Sequence, residues 1–420
     1  MTSIQIPSQD RIITVDVLRG FALFGILYSH MIFWYTAGPL PERLFNSNQD
    51  IASGIAMSFY GLFFIGKFFS FFSFLFGLSF YLQMKSFENR NENFLLRYGW
   101  RLLILGIIGL LHHALWRGDI LSIYVPLGFI LIAARNLSNK TIVFIGFILL
   151  LNIPTKMYEA GVILWRTTPI ENTAPTFQKE GEEYFNIVKN ASFTEMTISN
   201  WNALSVKFNY QITSGRLIIT LGFFFIGMYA GRMDWFRNLE TLKPFVENTW
   251  KKVSYSLLIV IGCGIIVGGG CLLAGVKIQE SDWAKWFFGM LYDFFSAGLT
   301  IFYISGLTLL TYNFNWQKIL YPLANIGKMA LTSYLMQTIF GLLIFYSFGL
   351  GLFTVTSPAI NALIAVGIFL FQVLISKWWL TYFSYGPIEW LWRALTFFEL
   401  FPISIKRKRI PILDTVENKI

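Results

Sequence analysis

Charge is what this sequence has least of: Asp, Glu, Lys and Arg make up 13% of its 420 residues, against about 25% in an ordinary soluble domain. That scarcity excludes a soluble enzyme. Disorder is excluded as well, since 55% of the residues are hydrophobic and Phe alone occurs 44 times. No Gly-Pro periodicity suggests a fibre. Cysteine is almost missing: Cys263 and Cys271 lie in one apolar run, about 80° apart around a helix. A disulfide framework is therefore excluded, and both read as packing residues. What remains is an all-α, polytopic membrane protein. Its net charge of +10 falls between apolar spans, so it reads as orienting charge; no nucleic-acid partner is expected.

A helix of about 20 apolar residues crosses a bilayer, because lipid offers backbone polar groups no other partner. Ten such segments are present, at 13 to 35, 53 to 83, 95 to 115, 120 to 135, 141 to 164, 214 to 233, 253 to 276, 284 to 311, 318 to 346 and 358 to 380. The second is too long for one straight crossing and must tilt, bend or begin on the surface. Alternate connections carry Lys85, Arg90 and Arg97, then Arg135 and Lys140, then Arg232, Arg237, Lys243, Lys251 and Lys252, and finally the tail Lys406 to Arg409. The opposite connections hold little beyond Arg43, Arg117, Lys277 and Lys285. Positive-inside reasoning places a multi-pass protein in the cell membrane with both termini cytoplasmic. The N-terminus has no signal-peptide pattern, and its first apolar segment is expected to be kept as a span. Residues 1 to 400 read as a single transmembrane domain and 401 to 420 as a basic cytoplasmic tail. The long connection at about 165 to 213 lies outside and reads as two amphipathic helices, either a lid over an outward pocket or a packing cap.

Ionisable groups inside spans are expensive, so each is a functional hypothesis. The first span carries Asp16, Arg19 and, eleven residues beyond the arginine, His30. Eleven residues are three turns plus about 20°, so Arg19 and His30 share a face roughly 16 Å apart along the axis. The plain alternative is an interfacial Asp16–Arg19 pair with a hydrogen-bonded boundary histidine. His112 and His113 fall beside Trp116, Arg117 and Asp119 near the same outer face. At most one of the two faces His30. Asp119 either orients an imidazole or caps the next helix; a metal site from these groups matches no standard spacing. Asn325, Lys328 and Thr332 share one face of the ninth span with Ser333 and Gln337 in the neighbouring row, lining a cavity or joining helices. Lys67, Arg97 and Arg101 either join Arg19 in a cytoplasmic anion site or snorkel. Gly264, Gly268, Gly269 and Gly270 suit close helix packing, and glycine-rich and aromatic surfaces would permit a homodimer.

At these residues the chain resembles the YeiB-like family, known as domain of unknown function 418. The resemblance rests on RIITVDVLRGFALFGIL at 11 to 27, GKFFSFFSFLFGLSF at 66 to 80, HALWRGDILSIYV at 113 to 125, NIGKMALTSYLMQTIF at 325 to 340, FGLGLF at 348 to 353 and YGPIEWLWRALTF at 385 to 397. The family has been grouped with transmembrane acyltransferases of the acyltransferase-3 and heparan glucosaminide acetyltransferase types. Those carry an acyl group from cytoplasmic acyl-CoA to an acceptor across the membrane. Arg19 and His30 reproduce the arginine-to-histidine interval of the acyltransferase-3 proteins. YeiB-like and heparan-type proteins more often place Asn at the His30 position, and the later histidine of the heparan type corresponds here to Pro41.

The resemblance implies acyl-CoA as donor and no metal. Its phosphates would meet Arg19, Lys67, Arg97 and Arg101, while His30 acts as general base towards a small-molecule, glycan or lipid acceptor. Asp119 with His113 or His112 would orient that base or stabilise the oxyanion. Trp116, Asn325, Lys328, Thr332 and Gln337 would line the substrate pocket. Two other readings stand beside it. One is a small-solute transporter or channel, although no inverted repeat is evident; the other is a non-catalytic sensor with His30 as a pH-responsive group.

Overall fold

The structure, a computed structural model, describes residues 12–46, 50–89, 93–165, 174–237 and 239–404. The basic tail at 406 to 409 lies outside the described residues. The described chain is helical throughout apart from one isolated bridge between Phe383 and Ser404. In order the helices are α1 (Ile13–Met31), α2 (Arg43–Asn46), α3 (Ile51–Phe63), α4 (Phe68–Glu88), α5 (Phe94–Leu115), α6 (Leu121–Ala134), α7 (Asn139–Leu150), α8 (Ile153–Trp165) and α9 (Ala174–Asn190). They continue as α10 (Phe193–Asn202), α11 (Leu204–Thr213), α12 (Arg216–Arg232), α13 (Leu239–Leu273), α14 (Asp282–Leu310), α15 (Phe314–Lys328), α16 (Ala330–Phe345), α17 (Pro358–Tyr382) and α18 (Pro387–Phe397).

Five helical stretches are long and apolar enough to cross a membrane, and eight if each sharply bent pair counts as one span. The shorter apolar α6 and the charge-bearing α1 account for the other two segments read from the sequence. Three of the segments are not straight. The second turns between α3 and α4, where Gly66 takes φ +79°, a conformation that costs glycine little. The pair α7 and α8 bends by 47°, and α15 meets α16 at 83°. That last break corrects the expectation of one polar stripe through Asn325, Lys328 and Thr332, because the helix changes direction at Met329 before Thr332 is reached.

Lipid tails are as apolar as the side chains, so helices associate here through close packing and not through escape from water. Glycines set the closest approaches. A Cβ on Gly77 of α4 would strike the Phe224 carbonyl of α12, and one on Gly227 of α12 would strike the Phe74 carbonyl of α4. The helix α13 is peripheral and packs mainly on α14. A Cβ on Gly264 or Gly268 would only just reach Leu291 or Phe288, while one on Gly269 or Gly270 would face open space. Cys263 is exposed and Cys271 half-exposed, both with free thiols; the packing role expected for them is corrected, since α13 turns them away from the core.

Several cations gather at one end of the bundle, the basic end. Arg232 donates to the carbonyls of Arg135 and Leu137, and Lys85 pairs with Asp234 at 3.3 Å. The opposite, loop end is covered by three helices, α9 to α11, where two were expected. Tyr184, Val188 and Met196 are buried there as the pattern requires, whereas Ile198 and Trp201 are exposed.

Candidate functional site

At the loop end a chain of buried polar groups runs through four helices and the turn after α1. Asp119 follows the Trp116-Arg117-Gly118 turn and accepts from the backbone N–H groups of Leu121 and Ser122, which caps α6. The same carboxylate meets Nδ1 of His112 at 2.8 Å. Capping and orienting the imidazole, read as alternatives, are therefore both performed by Asp119. Because that carboxylate only accepts, it fixes the proton on Nδ1 and leaves Nε2 as an acceptor. Nε2 lies 2.7 Å from Oγ1 of Thr338, and the Tyr35 hydroxyl lies 3.0 Å from the same oxygen. Lys207, from α11, closes the other side of Asp119 at 3.4 Å and donates to Ser122 at 2.7 Å.

The three histidines meet in this layer in different ways. His112 and His30 both contact Trp116, with ring centroids 6.0 and 4.6 Å away. His113 turns aside, its Nδ1 3.3 Å from Lys207 and its Nε2 buried without a partner. His112 is thus the one that faces towards His30. His30 is half-buried, and its imidazole has no hydrogen-bond partner among the described residues. Trp116 is fully buried and donates to the Tyr35 carbonyl at 2.8 Å. It separates the rings as packing, which corrects its assignment to a substrate pocket.

Trp34 and Tyr35 both hold positive φ, 53° and 54°. Left-handed backbone is costly for bulky residues, and here it turns the chain so that Tyr35 reaches α16. A Cβ on Gly341 would collide with the Tyr35 ring, so the glycine makes room for that approach.

Below this layer lies a cavity of about 240 Å³. Towards the basic end it is lined by Arg19, Gln83, Arg101, Lys328 and Glu389, and towards the loop end by Ile26, Phe72, Leu105, Ile120 and Tyr334. Arg19 pairs with Asp16 at 3.0 Å and donates to Ser79 at 2.6 Å, so the expected local ion pair forms while the guanidinium still borders the cavity. Arg101 lies over the Trp392 ring at 3.6 Å. It stands eleven residues before His112. The interval from Arg19 to His30 on α1 is therefore repeated on α5, and in both helices the arginine lines the cavity and the histidine contacts Trp116.

Other expected site residues are elsewhere. Lys67 sits at the α3–α4 turn, 3.4 Å from the Gly61 carbonyl and over Tyr292 and Phe295. It is twelve residues, about 18 Å of helix, from Ser79 and Arg19, which corrects its placement in one anion site with Arg19. Arg97 donates to the Thr396 carbonyl and ties α5 to α18. Gln337 bonds Gln372 and the Leu23 carbonyl, joining α16 to α17 and α1 outside the cavity. Asn325 does not border the cavity, and Thr332 bonds Glu389. Lys328 does line it, with no ion-pair partner among the described residues. Among those residues no group of three or more His, Cys, Asp or Glu is placed to hold a metal.

The residues missed in the sequence are Lys207, Thr338, Tyr35, Tyr334 and Glu389. The repeated interval from Arg101 to His112 was a signal that could have pointed to the site.

A family model described as "Protein of unknown function (DUF418)" matches residues 217–399, a stretch that holds Thr338 and Glu389. The chain is 28% identical to the uncharacterized protein YxaH of Bacillus subtilis, over 96% of this chain and 98% of that protein. It is 26% identical to the uncharacterized protein YeiB of Escherichia coli, over 95% of this chain and 100% of that protein. No solved structure matches it. With a family match across the C-terminal helices and relatives aligned from end to end, the chain is similar to the YeiB-like, DUF418 proteins.

Proposed function

We propose that this membrane protein transfers an acyl group from acyl-CoA, entering at the basic end, to a hydroxyl or amine acceptor at the loop end. By the positive-inside rule the basic end and both termini are cytoplasmic. The observation that carries the reading is the cavity, whose cations Arg19, Arg101 and Lys328 lie at one end and whose apolar walls climb to Tyr334, against the His112 ring at 4.9 Å. Acyl-CoA has the matching polarity, anionic at the nucleotide and uncharged along the pantetheine arm. The roughly 16 Å from Arg101 to His112 along α5 is close to the reach of that arm.

His112, oriented by Asp119, supplies proton transfer. The sequence put that role on His30, but His30 lacks an orienting carboxylate and faces the acceptor side. Purified protein incubated with radiolabelled acetyl-CoA or palmitoyl-CoA and an extract of envelope lipids and glycans tests this reading. Label should move into the extract with wild-type protein and not with His112→Gln. No transfer and no CoA binding by the wild type would end it.

A further inference from the structure

Hydroxyls inside these helices mostly return to their own backbone. Ser73, Ser79, Thr300 and Thr308 each donate to the carbonyl four residues earlier, the ordinary way to satisfy such a group in a helix. Thr338 behaves differently. Its oxygen lies 2.7 Å from His112 Nε2 and 3.0 Å from the Tyr35 hydroxyl, 1% exposed and turned to these partners on other elements instead of to its own helix. With Asp119 fixing the proton on Nδ1, the Thr338 proton points at Nε2 and Tyr35 donates to the oxygen. A hydroxyl, an imidazole base and an orienting carboxylate within 2.6–3.2 Å of one another are the signature of an activated nucleophile.

We propose that Thr338 is the nucleophile of a Thr338–His112–Asp119 triad and carries the acyl group as a covalent ester between donor and acceptor. The proposal rests on the acyl-transfer reading and deepens it. Tyr334 closes the cavity one turn of α16 below Thr338, about 6 Å along the axis, so a thioester reaching the cavity end needs the Tyr334 ring to swing aside. Oγ1 then attacks the thioester carbonyl carbon and its proton passes to His112 Nε2. The C–S bond breaks, and the departing sulfur takes that proton to leave as CoA thiol. In the second half the acceptor hydroxyl or amine attacks the ester carbonyl and gives its proton to Nε2. The C–O bond to Thr338 breaks, and Oγ1 recovers the proton. In the closed arrangement Tyr334 accepts from the Ile120 N–H, so its own proton is free for the oxyanion once the ring has swung aside. Burial protects the ester from water, and the covalent stage removes the need for donor and acceptor to meet in a layer already filled by Tyr35 and Trp116.

The test omits any acceptor. Full-length protein in detergent is incubated with radiolabelled acetyl-CoA or palmitoyl-CoA, denatured, treated with neutral hydroxylamine and mapped by peptide mass spectrometry. Retained label on Thr338 is expected, together with exchange of label between acyl-CoA and free CoA. Thr338→Val should reduce both by roughly a thousandfold or more, and Thr338→Ser, which keeps the hydroxyl and its partners, should retain them. Label absent or on another residue, or Thr338→Val transferring at the wild-type rate, overturns the proposal. In that last outcome the acyl-transfer reading still stands, whereas failure of the wild type to bind or use acyl-CoA removes both.

Discussion

Lys207 of the outer helix α11 reaches to within 3.4 Å of Asp119, a carboxylate that is itself fully enclosed. The lysine head is nearly buried, so the pair is one charge balancing another where water cannot.

Replacing Lys207 by Met leaves Asp119 without its cation. Breaking a buried pair by removing one partner costs about 3 kcal/mol or more. A clear fall in the thermal midpoint of detergent-solubilised protein is expected for Lys207→Met, and the double variant with Asp119→Asn should recover part of it.

Glu389 accepts from the backbone N–H groups of Leu331 and Thr332 and from the Thr332 hydroxyl. It is the N-terminal cap of α16, supplied from α18. Glu389→Ala should cost about 1 to 2 kcal/mol, read as a lower midpoint and as faster hydrogen exchange confined to the first turn of α16.

The α4–α12 contact tolerates no side chain at Gly77, because backbone stands where a Cβ would go. Gly77→Leu must separate the two helices, at about 3 kcal/mol or more. Loss of monodisperse protein is the expected outcome. Gly269→Leu, which faces open space, should express normally.

Outside the membrane, Arg43 binds Glu182 at 2.6 and 3.0 Å. The hydrogen bonds from Arg43 hold the Glu182 carboxyl below its ordinary value. A lowered folded-state value means that the pair contributes fully above the unfolded value, about 4.3, and loses its contribution as pH falls through the folded one. Hydrogen exchange in α9, taken relative to the intrinsic rate at each pH, should be flat from neutral pH down to that window and rise below it. In Arg43→Gln the acid-dependent rise should disappear.

The all-helical, membrane-spanning character, the Asp16–Arg19 pair and the interval to His30 were legible because each is local, written along single helices with a fixed period. The break at Met329 was not. Its nearest proline is Pro322, and the N–H groups freed by the break are satisfied by Glu389, 57 residues away from Thr332. Lys67 was misplaced for a related reason: the Gly66 turn sets it by the Gly61 carbonyl, away from Arg19. Lys207 reads as one polar position on a surface helix until docking carries it to Asp119. Thr338 is one hydroxyl among many, and only the neighbours brought by α1 and α5 distinguish it.

An anionic donor held in the cavity is the central requirement of acyl transfer here, and calorimetry of CoA binding to the purified protein tests it directly. Wild-type protein should bind, Arg101→Gln and Lys328→Gln should each weaken binding about tenfold, and His112→Gln should bind as the wild type does. No binding by wild type, or binding unchanged without both cations, would contradict the account.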